Sequence, residues 1–563
     1  TVKTGAPLGK LLLLKIEKDP RFWRKDDEWF CSKIAVTTPE GETLLFPCYQ
    51  WLSNDEVVEL RGGKGLVDNS IKTHDPFFSE FTDTEELKFK GIVSSKDLLM
   101  SSFPAPSEYL FEHWKDDDFY GYQFLNGVNP HLIKRCYELP PNFPVTEEMV
   151  KPYLEIGMPL HNEFKRGNMF LYDQKILSGI PGRLYHGERL PLPAPLCLLY
   201  LNPEKKLIPI AIQVHQQPSE DNPIFLPSDS ETDWLLAKIM VKNADMMTHQ
   251  AISHLKNTHL ISESWAMSLF RNFPLIHPIY KLLIPHFRWI LHVNALARET
   301  LLGPSGSFKM VSLGLDGTIE LMRRAQDELT YSSLCIPDDI RARGLESIPD
   351  FYYRDDGLKL WDIIHRFVNS VVGHFYRSND EVVKDSELQG WIHEIFTHCF
   401  LGSKRLGCPE AFHCVEEVVK FITMVIFTVS VQHAAVNNGQ VKRLKSDSKS
   451  LSGSTEETSC KSKPKVFFFD ILLSAVNVSG SSVISGFEYF RNLKRLCLFL
   501  QYRQVLLGSY PDERFQEPEI KQMMEGFQAG LSSLSDDIKA RNSKLGVPYT
   551  YLDPSQIDSS IIK

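Results

Sequence analysis

None of the ten cysteines sits in a CxxC pair; they are scattered from Cys31 to Cys497. That spacing excludes the common thiolate zinc frameworks, and a chain of 563 residues can bury a core without disulfide staples. Reduced thiols in a cytoplasmic compartment are the expectation. Positive charge is not in excess. Lys and Arg number 62 against 71 Asp and Glu, a net charge of −9, so there is no electrostatic case for nucleic acid as a partner. A long apolar run is missing near the N-terminus, where Leu11 to Leu14 is followed at once by charge. That is too short for the core of a signal peptide or for a membrane span. The chain opens on Thr1 rather than Met, as a fragment would. The longest later apolar stretch, Val418 to Val431, is interrupted by Lys420 and runs straight into His433, the pattern of a buried core helix. No internal repeat is visible.

What is present begins as β structure. LLLLKIEK, FCSKIAVTTP, ETLLFPCYQW and EVVELRGG are short runs of β-branched and aromatic residues separated by Asp, Pro and Gly, and they mark residues 1–62 as a small strand-rich module. Residues 63–110 show weak periodicity and read as a linker or irregular segment. From about Glu112 the spacing becomes helical, in EEMVKPYLEI, in DWLLAKIMVKNADMMTHQAISHLKNTHLISESWAMSLF, in HPIYKLLIPHFRWILHVNALARETLL, in GLKLWDIIHRFVNSVVGHFY and in EVVKFITMVIFTVSVQHAAVN. A strand-like pair, LCLLYLNPEKKLIPIAIQVH, with Asn-Pro at its turn, interrupts them. Residues 441–465 are a polar, Ser- and Lys-rich tract that cannot bury enough apolar surface to order itself. Helical spacing returns at PEIKQMMEGFQAGLSSLSDDIKARNSKL.

Five histidines stand out: His249, His254, His259, His277 and His286. The first three are five residues apart. On a regular α-helix residues at that spacing point about 140° away from one another, so they cannot share an ion unless the helix widens into a π-type turn. A chain with 18 histidines places some near each other by chance, and spacing alone decides little. A second cluster narrows the reading. His433 and Asn437, in VQHAAVN, share one face of a helix whose approach is almost wholly apolar, so these polar groups need a reason to be buried. Imidazole with an amide oxygen and no thiolate favours a first-row ion such as iron with open positions.

At this point the residues resemble a known family. His-x4-His-x4-His-x17-His-x8-His is the lipoxygenase signature, and the five histidines reproduce it without a gap. EHWKDDDFYGYQFLNGVNP, APLCLLYL, PIFLPSDSETDWLLAKIMV, YRDDGLKLWDII, QHAAVNNGQ, GSYPDERF and RNSKLGVPYTYLDP are similar to animal lipoxygenases in register, and the strand-rich start, with FPCYQW, resembles the end of a PLAT β-sandwich. The resemblance implies a mainly α fold. A large helical catalytic domain over 111–563 would follow part of a PLAT-type β-sandwich.

The resemblance also implies a site. Non-haem iron, one per chain, would be bound by His254, His259, His433, Asn437 and the C-terminal carboxylate, here on Lys563, while His249 matches a signature histidine that does not bind metal. Gln250 and Gln440 would link the two ligand helices. Leu255, Leu260, Ala297 and Leu301 match apolar positions of the substrate pocket, and Ala at 297 goes with S-type stereochemistry in many members. The implied partners are O2 and a polyunsaturated fatty acid or its hydroperoxide, with peripheral membrane association as an accompaniment. The implied reaction is dioxygenation to a lipid hydroperoxide. VVKFITMVIFTVSVQHAAVN and PNFPVTEEMV are as close to the epidermal-type hydroperoxide isomerases, which make epoxyalcohols, so that activity stands as the alternative.

Three departures set this chain apart. Where the family ends on Ile, it carries Lys563, whose ammonium would be costly to bury beside a metal. The tract after Gln440 replaces an aromatic and Pro-rich segment, and only about half of the PLAT-like module is represented. An inactive remnant or an incomplete gene product is the reading these departures would support.

Overall fold

The structure, a computed structural model, describes residues 13–17, 29–37, 43–52, 57–61 and 109, and 113–561 apart from 186, 304–305, 310, 440–504 and 513. The linker expected at 63–110 and the polar tract at 441–465 lie outside the described residues, Tyr109 excepted.

The four expected N-terminal strands are present as β1 (Leu13–Glu17), β2 (Trp29–Thr37), β3 (Thr43–Leu52) and β4 (Val57–Arg61). They pair antiparallel as β1 with β4 and β2 with β3, two separate two-stranded sheets. Cys31 and Phe46 are buried and pack with Ile276 of the helical region, so the β module has an apolar footing on it.

The helical region contains one five-stranded antiparallel sheet. Its strands are β5 (Ile133–Arg135), β6 (Met169–Asp173), β7 (Leu196–Leu201), β8 (Leu207–Gln213) and β9 (Ile224–Phe225), in the order β9-β8-β7-β6-β5. The β7–β8 hairpin is the pair marked by the Asn-Pro turn. The flanking strands escape a pattern search because IKR is three residues long and MFLYD is buried almost throughout, so neither alternates.

The helices that position the site are α1 (Asp117–Asn126), α2 (Glu231–Thr248), α3 (Ile261–Asn272), α4 (Pro278–Leu283), α5 (Ile290–Ala297), α6 (Tyr352–Phe375), α7 (Ser386–Glu394), α8 (Val415–Phe427), α9 (His433–Asn437) and α10 (Pro518–Asn542). Ser230 starts α2 by accepting from the Asp233 N–H at 3.2 Å. The EEMVKPYLEI segment departs from its helical spacing. It makes one turn at Glu147–Val150 and a tighter one at Lys151–Tyr153, because Pro152 has no N–H to continue the ladder. Pro285 likewise separates α4 from α5 with a short 3-10 turn.

Helix α6 packs against both α8 and α10, and these three with α3 surround the largest apolar core. The run Val415–Asn437 is long and apolar enough to cross a membrane, yet 89% of its most apolar window is buried inside the fold. It is the core helix its composition suggests.

Candidate metal centre

Between α2 and α3 the helix does not break but widens: His249–Leu260 is a twelve-residue π-helix. A second π segment, Thr428–Gln432, leads from α8 into α9. Widening disturbs the usual carbonyl partners, and hydroxyls at i+4 compensate. Thr258 donates to the His254 carbonyl, Ser262 to the Thr258 carbonyl, and Ser430 to the Ile426 carbonyl at 2.5 Å. From outside the helix, Ser253 donates to Asn129 at 2.8 Å, and Asn129 donates to Asp245 at 2.8 Å. The same hydroxyl-to-carbonyl bond occurs in the regular α8, from Thr423 to the Val419 carbonyl, so these bonds support the π turn without specifying it.

The widened turn brings His254 and His259 onto one side, where His433 at the start of α9 meets them. One ligand atom from each lies within 4.8 Å of the others, and the His254 and His259 Nε2 atoms are 3.2 Å apart. The rings of His254 and His259 stand nearly perpendicular, at 78°, and His433 is perpendicular to His259 at 75°. Burial pushes His254 well below the ordinary histidine range and takes His259 down to about 4, so both present neutral imidazoles. Neutral, convergent nitrogens, two of them buried and the third half-buried, are a donor set suited to a first-row ion with open positions. Asn437 lies one turn beyond His433 on the same face of α9, half-buried. Lys563 and Gln440 lie outside the described residues.

The remaining signature histidines are anchors. The Val436 carbonyl accepts from His249 Nε2 at 2.8 Å, and the His249 ring lies 10° from parallel with that of His254. His277 Nδ1 accepts from the Ile279 N–H at the start of α4, so its Nε2 carries the hydrogen that meets Asp385 at 3.1 Å. His286 Nδ1 donates to the Ser559 carbonyl at 2.8 Å, with Tyr510 Oη 3.3 Å from Nε2. This contact ties down the C-terminal tail, which is buried as far as Ile561.

Gln250 points its amide at the Met246 sulfur, 3.8 Å away on its own helix. Leu255 and Ala297 are buried, and Leu260 and Leu301 are half-buried. Leu260 lines a surface cavity of about 260 Å³ together with Glu263, Arg271, Arg298, Glu394 and His398.

Other residues at the site were not singled out from the sequence. Gln432, beside His433, donates to His131 at 2.8 Å and accepts from Tyr353 Oη at 2.7 Å. Asn294 contacts His259 directly at 3.0 Å. Asn294 is a fully buried polar residue in the apolar helix ILHVNALA, the same signal that drew attention to His433.

Comparison with known proteins agrees with this geometry. Residues 66–547 match the lipoxygenase family and residues 1–60 match the PLAT/LH2 domain. Among curated relatives, hydroperoxide isomerase ALOXE3 of Homo sapiens is 36% identical, with all of this chain and 92% of that protein covered. Polyunsaturated fatty acid lipoxygenase ALOX8 of Mus musculus is 37% identical, with 98% of this chain and 91% of that protein covered. Among solved structures, a calcium-dependent 11R-lipoxygenase superposes with a TM-score of 0.71 at 28% identity, over 100% of this chain and 92% of that one. A coral 8R-lipoxygenase gives 0.70 at 26% identity, over 99% and 91%.

Proposed function

This chain belongs to the animal lipoxygenase family and is a lipoxygenase-type oxidoreductase, and from that premise we propose that it inserts O2 into polyunsaturated fatty acids to give lipid hydroperoxides. In this reading one non-haem iron is held by His254, His259, His433 and Asn437, with the Lys563 carboxylate as the last ligand. The observation that carries it is the convergence of three imidazoles, His259 and His433 buried and His254 half-buried. Iron bound there would supply a one-electron acceptor for oxidation of a doubly allylic C–H bond.

The chain's own residues do the rest. The imidazoles hold the ion without adding charge. Leu255, Leu260, Ala297 and Leu301 supply an apolar wall that orients a hydrocarbon chain and excludes water. Gln250 and Gln440 are assigned to bracing the ligand helices. The tail is buried up to Ile561 and is held there by the bond between His286 and the Ser559 carbonyl.

A second reading, isomerisation of fatty-acid hydroperoxides to epoxyalcohols, is favoured by the match to the human hydroperoxide isomerase along the whole chain. The two separate on incubation with a polyunsaturated fatty acid and with its hydroperoxide. Growth of conjugated-diene absorbance with O2 uptake supports the first; loss of the hydroperoxide without O2 uptake supports the second. Iron far below one per folded chain overturns both. The scattered cysteines, none in a CxxC pair, support a cytoplasmic location, and the PLAT match supports peripheral contact with lipid.

A further inference from the structure

Asn294 has no exposed surface and lies on α5, opposite the π-helix. Its amide makes three contacts. Nδ2 donates to the backbone carbonyl of His259 at 2.8 Å and to Glu263 Oε2 at 2.7 Å, and Oδ1 lies 3.0 Å from His259 Nδ1. These partners fix the orientation of the amide. A carbonyl and a carboxylate only accept, so exchanging the amide's oxygen and nitrogen would set oxygen against oxygen twice. With Oδ1 facing the ring, His259 Nδ1 must carry the hydrogen, which leaves the lone pair on Nε2, the atom facing His254. Glu263 is held in turn by Arg298 at 2.7 Å, and both line the rim of the surface cavity beside Leu260.

We propose that Asn294 is the positioning residue of the metal centre: braced by Glu263 and Arg298, it fixes the tautomer and ring plane of His259 so that Nε2 is presented to the ion. This rests on the metal reading given above. An amide suits the position because one end must accept from the ring while the other donates twice, to a carbonyl and a carboxylate. A leucine of similar size keeps the volume and removes all three contacts. An aspartate would face the Glu263 carboxylate.

Two measurements test the role. Iron affinity is read on the full chain by equilibration against a chelator-buffered ferrous solution, with far-UV circular dichroism as the check on folding. Asn294→Leu is expected to lose about 10–100-fold in affinity with its spectrum unchanged, and Glu263→Gln to lose less, because the contacts to His259 remain. A folded Asn294→Leu protein that binds iron within about twofold of wild type overturns the proposal. The second measurement needs no iron and no variant. Nitrogen-15 labelling of histidine in the metal-free wild type is expected to show His259 protonated at Nδ1, and the Nε2-protonated form overturns the proposal. A wild type that takes up no iron would sink the metal reading, while the tautomer measurement would still decide the role of Asn294.

Discussion

His249 donates its Nε2 hydrogen to the Val436 carbonyl across 187 residues of sequence, at 2.8 Å. The bond joins the helix that carries His254 and His259 to the one that carries His433, at the peptide just before Asn437. His249→Leu leaves a buried carbonyl without this donor, which costs roughly 1–3 kcal/mol. Urea unfolding is expected to show that loss, and iron per chain to fall with it. An unchanged midpoint and unchanged iron would show the contact to be dispensable.

The hydroxyls that support the π-helix should matter out of proportion to their size. Thr258→Val keeps the shape and deletes one bond, worth about 1 kcal/mol. The larger expected effect is on the site, since narrowing to an α-turn would swing His254 and His259 apart. Metal titration should show weaker binding in Thr258→Val than in Thr423→Val, a control with a similar hydroxyl-to-carbonyl bond of 2.7 Å in α8.

Burial holds His131, His259 and His286 down to about 4. Their unfolded forms titrate near the ordinary value of 6.5, so below that pH the unfolded chain takes up protons that the folded chain refuses. Stability of the metal-free protein is therefore expected to fall as pH drops from about 6.5 to about 4, by on the order of 3 kcal/mol for each such group. Unfolding free energies at pH 7 and pH 5 check this. The difference between them should shrink in His286→Asn, and an equal difference would contradict the assignment.

Asp385 titrates in the opposite sense. Burial alone would raise its carboxyl, but His277 at 3.1 Å, the Leu388 N–H at 2.9 Å and Tyr376 Oη at 2.7 Å outweigh it and hold it below the usual carboxylate range. The stabilisation is present above the unfolded value of 3.8 and is lost as pH falls through the depressed one. Asp385→Ala should cost roughly 3–5 kcal/mol at neutral pH. Thermal unfolding would show it, and a loss under about 1 kcal/mol would mean that His277 finds another partner.

The parts of this protein legible in its sequence are those whose signal is local. Strands β1 to β4 are short runs of β-branched and aromatic residues between Asp, Pro and Gly, and the spacing of His249, His254 and His259 requires a π turn if they are to share an ion. What the sequence hid depends on distant partners. Asn294 looks like one polar residue in ILHVNALA until α5 packs on the π-helix and sets it against His259. His286 and Ser559 are 273 residues apart, so no periodicity can announce their bond. Leu255, Leu260, Ala297 and Leu301 illustrate the opposite difficulty. Apolar residues lining a pocket and apolar residues filling a core obey the same spacing.

Synthesis from the N-terminus gives the π-helix a particular history. Val436 leaves the ribosome 187 residues after His249, which at about 5–20 residues per second is a delay of roughly 10–40 s. Throughout that interval His254 and His259 exist without His433, a two-histidine half-site. The three imidazoles can therefore meet only once the core helix arrives, and the bond that ties His286 to the Ser559 carbonyl forms later still.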